Sequence, residues 1–351
     1  MNETFDDALG ETASRLFADH VTPELLGAAE RGAWPSALWA AVEDVGLTKA
    51  LVPEEAGGFG IPLADALRLL RAAGAAALPL PLAETMLAGW LVAGAGLPCP
   101  EGPLTIASGD GIKLSRNTGG WHVSGRAARV AWGRDAAAVA VLATLEGQSY
   151  VVLLQRDDLR FDASTNVAGE PRDMLHVDAD IADEAVALAA SGVGPAQVRA
   201  AGAATRALLM AGALERVSMM TVRYATERKQ FGKPIGRFQA VQQNLAVLAA
   251  EAAAAIAASD LAAEGLAEGV RLPAIAAGKA RTGEAAGIGA AIAHQVHGAI
   301  GFTYEHSLHF LTKRLWSWRD EYGTESEWNL LLGRYAANAG ADRLWSEITA
   351  I

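Results

Sequence analysis

The sequence predicts an α+β multidomain protein with an N-terminal helical domain, a small antiparallel β-sandwich or barrel, and a C-terminal α-helical bundle. Apolar residues recur at helical spacing near both ends of the chain. Between them lie short apolar runs bounded by Gly, Asp or Asn, as in strands. With 351 residues, 51% of them hydrophobic, the chain is long enough to bury several cores.

We place the domain boundaries where these patterns change. Residues 1–103 form the N-terminal helical domain, 104–190 the β domain, and 191–351 the C-terminal bundle. The last segment is rich in alanine, which has the highest helix propensity and allows helices to pack closely. The helices expected in this bundle cover 196–228, 236–268, 272–298, 304–318 and 326–348.

Composition limits the classes of function. The net charge is -11 and no segment concentrates Lys or Arg, which argues against nucleic-acid binding. Cys99 is the only cysteine, so an intrachain disulfide is impossible. The acidic start MNETFDDALG does not resemble a signal peptide, and the apolar run 86–97 is shorter than the roughly 20 residues that span a bilayer. We expect a cytoplasmic protein without membrane association.

The stretch TVRYATERKQFGKPIGRFQAVQQ, residues 221–243, predicts a helix, a tight turn and a second helix. The first helix should end near Arg228, because Gly232 permits a turn and Pro234 disfavours helical geometry at the residue before it. The apolar stripe of the first helix consists of Met210, Leu214, Val217, Thr221 and Tyr224. The stripe of the second consists of Phe238, Val241, Leu245 and Leu248.

Two further stretches are chemically informative. In HQVHGAIGFTYEH, residues 294–306, a helix runs into Gly298, where backbone amides can approach a ligand. His294 and His297 are spaced as metal ligands can be, but no carboxylate stands at an HExxH-type position, so we expect no metal site. In LWSWRDEYGTESEWN, residues 315–329, Thr324 is predicted to cap a helix.

These motifs, in this order, resemble the C-terminal half of the acyl-CoA dehydrogenase flavoprotein family. The matching runs are RYATERKQFGKPIGRFQAVQ, HQVHGAIGF and RDEYGTESE. The chain is most similar to the short, divergent subunits of heteromeric acyl-CoA dehydrogenases in bacterial degradation of steroid or other bulky acyl side chains. This resemblance implies an acyl-CoA dehydrogenase-like fold and an FAD enzyme that converts an acyl-CoA to the 2,3-enoyl-CoA. It also favours an electron-transfer flavoprotein as the electron acceptor.

The resemblance assigns flavin contacts residue by residue. Four positions in and after the tight turn match residues that contact the FAD of a neighbouring subunit, which implies a homo- or hetero-oligomer, either dimer or tetramer. These are Arg228, Gln230, Phe231 and Gln239. A second element that meets the same FAD is matched by Gln295, Gly298 and Ala299, and a loop near the flavin by Gly323 and Thr324.

The chain departs from the family at the catalytic base. The family loop reads Tyr-Glu-Gly-Thr and its glutamate removes the α-proton, whereas here Tyr322 stands at that position. A phenol with an ordinary pKa of about 10 is a poor base at neutral pH. The family's alternative base position maps near Gly202 or Ala203. The middle segment also lacks the family's Thr-Glu-Pro-Gly-Ala-Gly-Ser type loop.

Two carboxylates are candidates for the missing base. Glu251 follows Leu248 by three residues, and a lone carboxylate among alanines should have a raised pKa, which suits proton abstraction. It is equally compatible with a partly exposed glutamate on a helix surface. Glu321, next to the usual position, is the second candidate.

Two functional interpretations remain open at this point. In the first, the chain is a catalytic acyl-CoA dehydrogenase, active alone or with a partner subunit. In the second, it is a non-catalytic partner that supplies only flavin-binding residues to a heteromeric enzyme.

Overall fold

The structure is a computed structural model that describes residues 3–109 and 111–349, except for the side chains of residues 3–8. The α-helices are α1 (Glu3–His20), α2 (Pro23–Glu30), α3 (Ser36–Asp44), α4 (Leu63–Ala75), α5 (Leu82–Gly94), α6 (Pro195–Glu227), α7 (Gln239–Ala267), α8 (Leu272–His297), α9 (Leu308–Trp318), α10 (Glu325–Ala339) and α11 (Leu344–Thr349). The strands are β1 (Leu104–Ser108), β2 (Ile112–Asn117), β3 (Gly120–Ala131), β4 (Ala138–Leu145), β5 (Gln148–Gln155), β6 (Leu159–Asp162), β7 (Arg172–Ile181), β8 (Val186–Leu188), β9 (Lys229–Gln230) and β10 (Lys233–Pro234).

The chain divides into two compact units. The helical unit contains the described residues of Met1–Leu26, Leu63–Leu78 and Ala200–Ile351. The sheet unit contains those of Gly27–Pro62 and Pro79–Arg199. Helices near the two ends of the chain therefore share a unit, and the three consecutive domains expected from the sequence stay a prediction.

The sheet unit contains two four-stranded sheets, with strand orders β1-β4-β5-β8 and β2-β3-β7-β6. Side chains from both sheets form one core, among them Val123, Val141 and Leu175. The opposite face of the first sheet packs on α5, where Ala140 and Leu91 share a second core. Because both faces of β4 are covered, its run AVAVLA is buried without alternation.

The strand pairing differs from the expected sandwich at one edge. β1 pairs with β4 in parallel, while the other pairs in both sheets are antiparallel. The chain leaves β1, forms β2 and β3 of the other sheet, and returns as β4, which is the crossover that a parallel pair needs. The fold class predicted from the sequence is otherwise confirmed.

The helical unit is assembled around α6. The predicted stripe is buried along this helix, with Met210, Leu214 and Val217 fully inaccessible to solvent. Helices α4 and α6 approach each other at reciprocal glycines. A Cβ on Gly74 would overlap the backbone of Leu209, and a Cβ on Gly212 would overlap the backbone of Arg71. The small residues thus allow backbone contact between the two helices.

Several predicted helix ends are shifted. α7 begins at Gln239 rather than 236, because 235–237 form a 3-10 turn and Phe238 is extended. α9 begins at Leu308 rather than 304, since 298–302 form a 3-10 turn and 303–307 form bends and turns. The single helix expected over 326–348 is two helices. Gly340, with φ of 74°, ends α10 before α11 begins.

Within the described part of the chain, α7 is long and apolar enough to cross a membrane by length and composition. Core helices of proteins that enter no membrane meet the same criterion. Only 28% of the most apolar window of α7 is buried inside this chain. The sequence-based search for apolar runs considered 86–97 and missed this helix.

Candidate functional site

The tight turn between α6 and α7 is a two-residue β-hairpin made by β9 and β10. Phe231 and Gly232 have φ of 50° and 78°, the left-handed pair that such hairpins require. Phe231 is 91% exposed and meets Phe238 edge-on, with ring centroids 6.2 Å apart. The ammonium of Lys233 lies 4.4 Å from the Phe238 ring centroid. These contacts fix the hairpin while its tip projects away from the chain.

The predicted flavin contacts in this region lie on the surface. The side chains of Arg228, Gln230 and Gln239 are exposed. The backbone of Arg228 is held at both ends, because its N–H donates to Tyr224 O at 2.9 Å and its carbonyl accepts from Ile235 N at 2.8 Å. The backbone is thus fixed while polar side chains stay available for a ligand. We refer to residues 228–239 as the hairpin surface.

The end of α8 lies beside the hairpin surface. His297, in the last turn of α8, stacks on Tyr224 of α6 with ring centroids 4.5 Å apart. Gln295, Gly298 and Ala299 are exposed at this end. Gly298 has φ of 65° and its N–H donates to His294 O, which ends the helix. The structure therefore brings together the first two of the three predicted flavin-contacting elements.

Histidines form a buried aromatic cluster beneath this surface. His297 lies 4.6 Å from His306 between ring centroids, and His294 stacks on Phe302 at 4.1 Å. His297 Nδ1 donates to Ala293 O at 2.8 Å. Burial lowers the pKa of His297 to about 4, and burial likewise lowers the pKa of His294 and of His306. Neutral imidazoles are thus the stable form.

These histidines form ring contacts and hydrogen bonds with neighbouring residues. In residues 3–109 and 111–349 we find no group of three or more His, Cys, Asp or Glu arranged to hold a metal ion. His294 Nε2 forms a hydrogen bond with Thr312 Oγ1 at 2.8 Å. That bond ties α8 to α9 beneath the turn at Gly298.

The third predicted element is the loop between α9 and α10, residues 319–324, which we call the α9–α10 loop. Thr324 caps α10 in a capping box with Glu327, as predicted. Gly323 has φ of 112° and Tyr322 has φ of 56°. Two residues in left-handed geometry turn the chain sharply, so the Tyr322 side chain is directed at α6.

The Tyr322 ring packs on Gly202, and the sequence resemblance predicts that these are the two base positions of the family. Its ring lies against Gly202, so closely that a Cβ on Gly202 would overlap ring atoms. The guanidinium of Arg206, one turn further along α6, is 5.3 Å from the centroid of the same ring. The family's usual base position and its alternative position therefore face each other here as a tyrosine packed on a glycine.

Both candidate carboxylates form ion pairs. Glu321 Oε2 accepts a 2.6 Å hydrogen bond from Arg206 Nε, and the Arg206 side chain is 2% exposed. Glu251 Oε2 lies 2.7 Å from Nη2 of Arg281 on α8. The expectation of a lone Glu251 carboxylate among alanines is therefore wrong. The alanines are its neighbours along the chain, but the facing helix brings an arginine.

A fully buried lysine supports the α9–α10 loop. Lys279 Nζ donates to Arg319 O at 2.6 Å and to Gly323 O at 2.9 Å. Burial lowers the pKa of Lys279 to about 8 against the opposing effect of the Glu325 and Glu321 carboxylates. Sequence reasoning missed Arg206 and Lys279 as buried cations. Arg206 stands four residues before Met210 on the apolar stripe, and Lys279 stands four after buried Ile275.

The predicted flavin contacts lie at two separate points along α6. Tyr322 lies at Gly202 and Arg206, whereas the hairpin surface begins at Arg228, 22 positions beyond Arg206. At 1.5 Å per residue those two points of the helix are about 33 Å apart. One chain therefore does not bring the α9–α10 loop and the hairpin surface to a single point.

Two segments of the chain match models of known protein domains. Residues 5–98 match the N-terminal domain of acyl-CoA dehydrogenases, and residues 196–320 match their C-terminal domain. The chain belongs to the acyl-CoA dehydrogenase family, which confirms the resemblance predicted from its motifs.

Three individual proteins are similar to this chain over most of its length. Acyl-CoA dehydrogenase IpdE2 of Mycobacterium tuberculosis is 32% identical over 318 residues, covering 87% of this chain and 89% of the relative. The steroid acyl-CoA dehydrogenase Tcur3481-Tcur3483, as a G363A variant, is 25% identical with a TM-score of 0.85, covering 95% of this chain and 98% of that one. The ChsE4-ChsE5 complex of Mycobacterium tuberculosis has the same fold, with a TM-score of 0.87 at 23% identity, covering 96% of this chain and 98% of that one.

Proposed function

We propose that the chain is the non-catalytic subunit of a heteromeric, FAD-dependent acyl-CoA dehydrogenase. It supplies flavin-binding residues, and a paralogous partner subunit supplies the base that removes the α-proton. The observation that carries this proposal is the packing of Tyr322 on Gly202 beside the Arg206–Glu321 ion pair. This arrangement leaves neither family base position with a carboxylate.

Proton abstraction needs an ionisable group that can reach the substrate carbon. Glu321 is directed at Arg206, and moving its carboxylate away would break a 2.6 Å ion pair with a buried guanidinium. Tyr322 offers a phenol in place of a carboxylate, and a phenol with the reference pKa of about 10 is a poor base at neutral pH. The loop thus packs well but is chemically unsuited to act as a base.

The hairpin surface fits a flavin dinucleotide. Arginine pairs with pyrophosphate oxygens, and glutamine side chains and free amides bond ribose and phosphate. Arg228, Gln239 and Gln295 present such groups outward, and the exposed Phe231 ring offers an apolar face. When bound, FAD would supply the acceptor for the hydride from the substrate's β-carbon, with an electron-transfer flavoprotein as the next acceptor.

The separation along α6 supports a flavin shared between subunits. Arg228 lies about 33 Å from Arg206, as estimated from the helical rise. A flavin held by the hairpin surface is therefore remote from this chain's own α9–α10 loop. In the proposed assembly the hairpin surface contacts a flavin whose ring lies in the partner, while Gly323 and Thr324 face a second flavin position. The assembly is a heterodimer or a heterotetramer.

The substrate class is proposed from the relatives. One similar structure is described as a steroid acyl-CoA dehydrogenase, so we assign the complex to acyl-CoA thioesters with a steroid or comparably bulky acyl group. We place the complex in the cytoplasm, where acyl-CoA thioesters are formed and used. The specific acyl group depends on pocket walls that include the partner.

A second candidate keeps catalysis in this chain. The side chain of Glu251 is only 15% exposed, and its Oε2 forms no hydrogen bond of good geometry despite lying 2.7 Å from Arg281 Nη2. A carboxylate with a strained pairing could exchange partners when substrate binds. This candidate makes Glu251 the base and needs no catalytic residue from a partner.

The experiment that separates the two uses the chain purified alone and co-expressed with a paralogue that carries the Tyr-Glu-Gly-Thr loop. Flavin content is read from the visible spectrum, and dehydrogenation from bleaching of that spectrum by a steroid acyl-CoA. The partner proposal expects flavin only in the complex, loss of flavin in Arg228→Met, and full bleaching in Glu251→Gln. Flavin that stays bound but no longer bleaches in Glu251→Gln would assign catalysis to this chain instead.

A further inference from the structure

Lys279 is a fully buried lysine whose ammonium donates hydrogen bonds to the backbone of the α9–α10 loop. Its relative exposure is 0%, and burying an ammonium carries a large desolvation cost. The charge is compensated by two backbone carbonyls, Arg319 O at 2.6 Å and Gly323 O at 2.9 Å. These two carbonyls stand at the beginning and near the end of the α9–α10 loop. One side chain on α8 therefore spans the whole loop.

The surrounding charges keep the ammonium in place. Carboxylates of Glu325, Glu321 and Asp320 favour its charged form, while Arg206 opposes it. Arg206 is itself paired with Glu321, and Arg319 donates to Glu325 at 3.0 Å. The three cations and three carboxylates balance. Removing the Lys279 ammonium leaves an excess of negative charge at the loop as well as two carbonyls without a donor.

The rest of the loop is held weakly by its own backbone. The N–H groups of Asp320 and Glu321 donate to Ser317 O and Trp318 O at 3.3 Å, at the long end of the range for N–H···O bonds. Tyr322 and Gly323 adopt left-handed backbone geometry, which is strained for a residue other than glycine. A loop with long backbone bonds and one strained residue depends on contacts from other elements, which Arg206 provides to the Glu321 side chain and Lys279 provides to the loop backbone.

We propose that Lys279 is a positioning residue that holds the α9–α10 loop in the one conformation that stacks Tyr322 on Gly202 and directs Gly323 and Thr324 toward the flavin. Lys279 acts through the two carbonyls and does not touch a ligand itself. The flavin part of this inference rests on the proposed function, whereas the loop part stands on the geometry of this chain alone.

The test compares two variants of α8. Lys279→Met keeps the length of the side chain and removes the donors and the charge. Thr282→Val is the matched control, because Thr282 is also fully buried on α8 but donates only within that helix, to Gly278 O at 2.9 Å and Lys279 O at 3.1 Å. Both variants lose a buried polar group, and only one of them loses contact with the loop.

Hydrogen exchange of residues 319–324 and flavin retention are measured in the chain co-purified with its partner. Loss of two bonds to a charged donor should speed exchange of the loop amides in Lys279→Met by at least about tenfold. Flavin should dissociate on dilution several-fold faster, and Thr282→Val should match the wild type in both measurements. Lys279→Gln retains a donor and should fall between them, which also provides a reading if Lys279→Met folds poorly.

Three outcomes would overturn the proposal. One is equal exchange of the loop amides in Lys279→Met and Thr282→Val. Another is wild-type exchange in Lys279→Gln, and the third is flavin loss in Lys279→Met with unchanged loop exchange. A wild-type complex without flavin would refute the proposed function instead, and the exchange comparison would still decide the role of Lys279.

Discussion

Gly202 shows how one absent side chain shapes the site. The Tyr322 ring occupies the volume that a Cβ at this position would need. Gly202→Ala should therefore destabilise the chain by about 1 to 3 kcal/mol, the usual cost of overpacking. Adding Tyr322→Ala should restore most of that loss, so a double-mutant cycle by urea unfolding should give a coupling of at least about 1 kcal/mol.

Gly333 provides the control for this cycle. It lies in α10 with no atom within 4 Å of an added Cβ. Gly333→Ala should therefore stabilise the chain, because alanine is the better helix former by about 1 kcal/mol. Additive effects of Gly202→Ala and Tyr322→Ala would mean that the ring moves away from α6 without cost.

Asp173 forms an ion pair in the sheet unit, and among the described acids of that unit that form ion pairs it is the most buried. It is 0% exposed and accepts from the backbone N–H and the guanidinium of Arg134, and from Ser164 N. Asp173→Asn turns an amide toward these donors. Because Arg134 is one third exposed, the contribution of this pair should lie near the lower end of the range for hydrogen bonds to charged groups. We expect Asp173→Asn to lower the free energy of unfolding by roughly 2 kcal/mol.

Urea unfolding followed by tryptophan fluorescence measures this loss. Asp178→Asn is the control, because the Asp178 side chain is 80% exposed and its ion pair is with the partly exposed His122. Its unfolding midpoint should stay at the wild-type value. Equal midpoints for the two variants would show that the Arg134 pairing contributes nothing to stability.

Residue identities explain what the sequence could and could not reveal. Thr324 as a helix cap was readable, because the capping box depends on Glu327 three positions away. The pairing of Glu251 with Arg281 was not readable, since the two are 30 positions apart on different helices. Which face α7 turns toward α8 depends on three-dimensional packing, and that decides whether a carboxylate is lone or paired.

At the scale of elements, the histidine cluster makes the end of α8 sensitive to acid. Burial lowers the pKa of His297 from 6.5 to about 4, so the folded chain resists a proton that the unfolded chain accepts. Stability should be complete above pH 6.5 and fall as the pH decreases from about 6.5 through about 4. The shift corresponds to about 3 kcal/mol at the acid end.

Replacing His297 by phenylalanine tests this dependence. His297→Phe keeps a ring against Tyr224 and removes the titrating group. Unfolding free energies measured from pH 7 to pH 4 should decrease less steeply in His297→Phe than in the wild type. His20, exposed at the end of α1, supplies the control. If His20→Gln reduced the pH dependence of the unfolding free energy as much as His297→Phe does, the acid sensitivity would not come from the histidine cluster.

Elements with strong local signals were predicted well. The end of α6 was placed within one residue, because Gly232 and Pro234 interrupt the helical period there. The start of α9 and the break at Gly340 were not predicted, since 3-10 turns and a glycine in an alanine-rich run leave the period almost unchanged. Parallel pairing of β1 with β4 depends on contacts between strands that are distant in sequence, which a single sequence does not encode visibly.

For the whole molecule, the exposed apolar surface of α7 is the feature that the chain alone leaves unexplained. Val247 is 46% exposed, and most of the apolar window of α7 is not covered within this chain. The helix follows the hairpin surface directly, so a partner that covers α7 would lie next to the flavin that we propose Arg228 contacts. Two of its carboxylates, Glu251 and Asp260, pair with arginines of α8 and α4.

Val247→Asp tests whether a protein subunit covers this helix. A carboxylate placed in a protein interface without a partner should weaken association with the paralogous subunit by at least about tenfold, or 1.4 kcal/mol. Size-exclusion chromatography with light scattering measures the association, and the visible spectrum measures the flavin, which should be lost together with the complex. Val167→Asp, at a position 66% exposed in the sheet unit, is the control and should leave both unchanged. The opposite result has two parts. The Val247→Asp complex stays intact, and the wild-type chain binds phosphatidylcholine vesicles whereas the variant does not. That result would show that α7 faces lipid rather than a subunit.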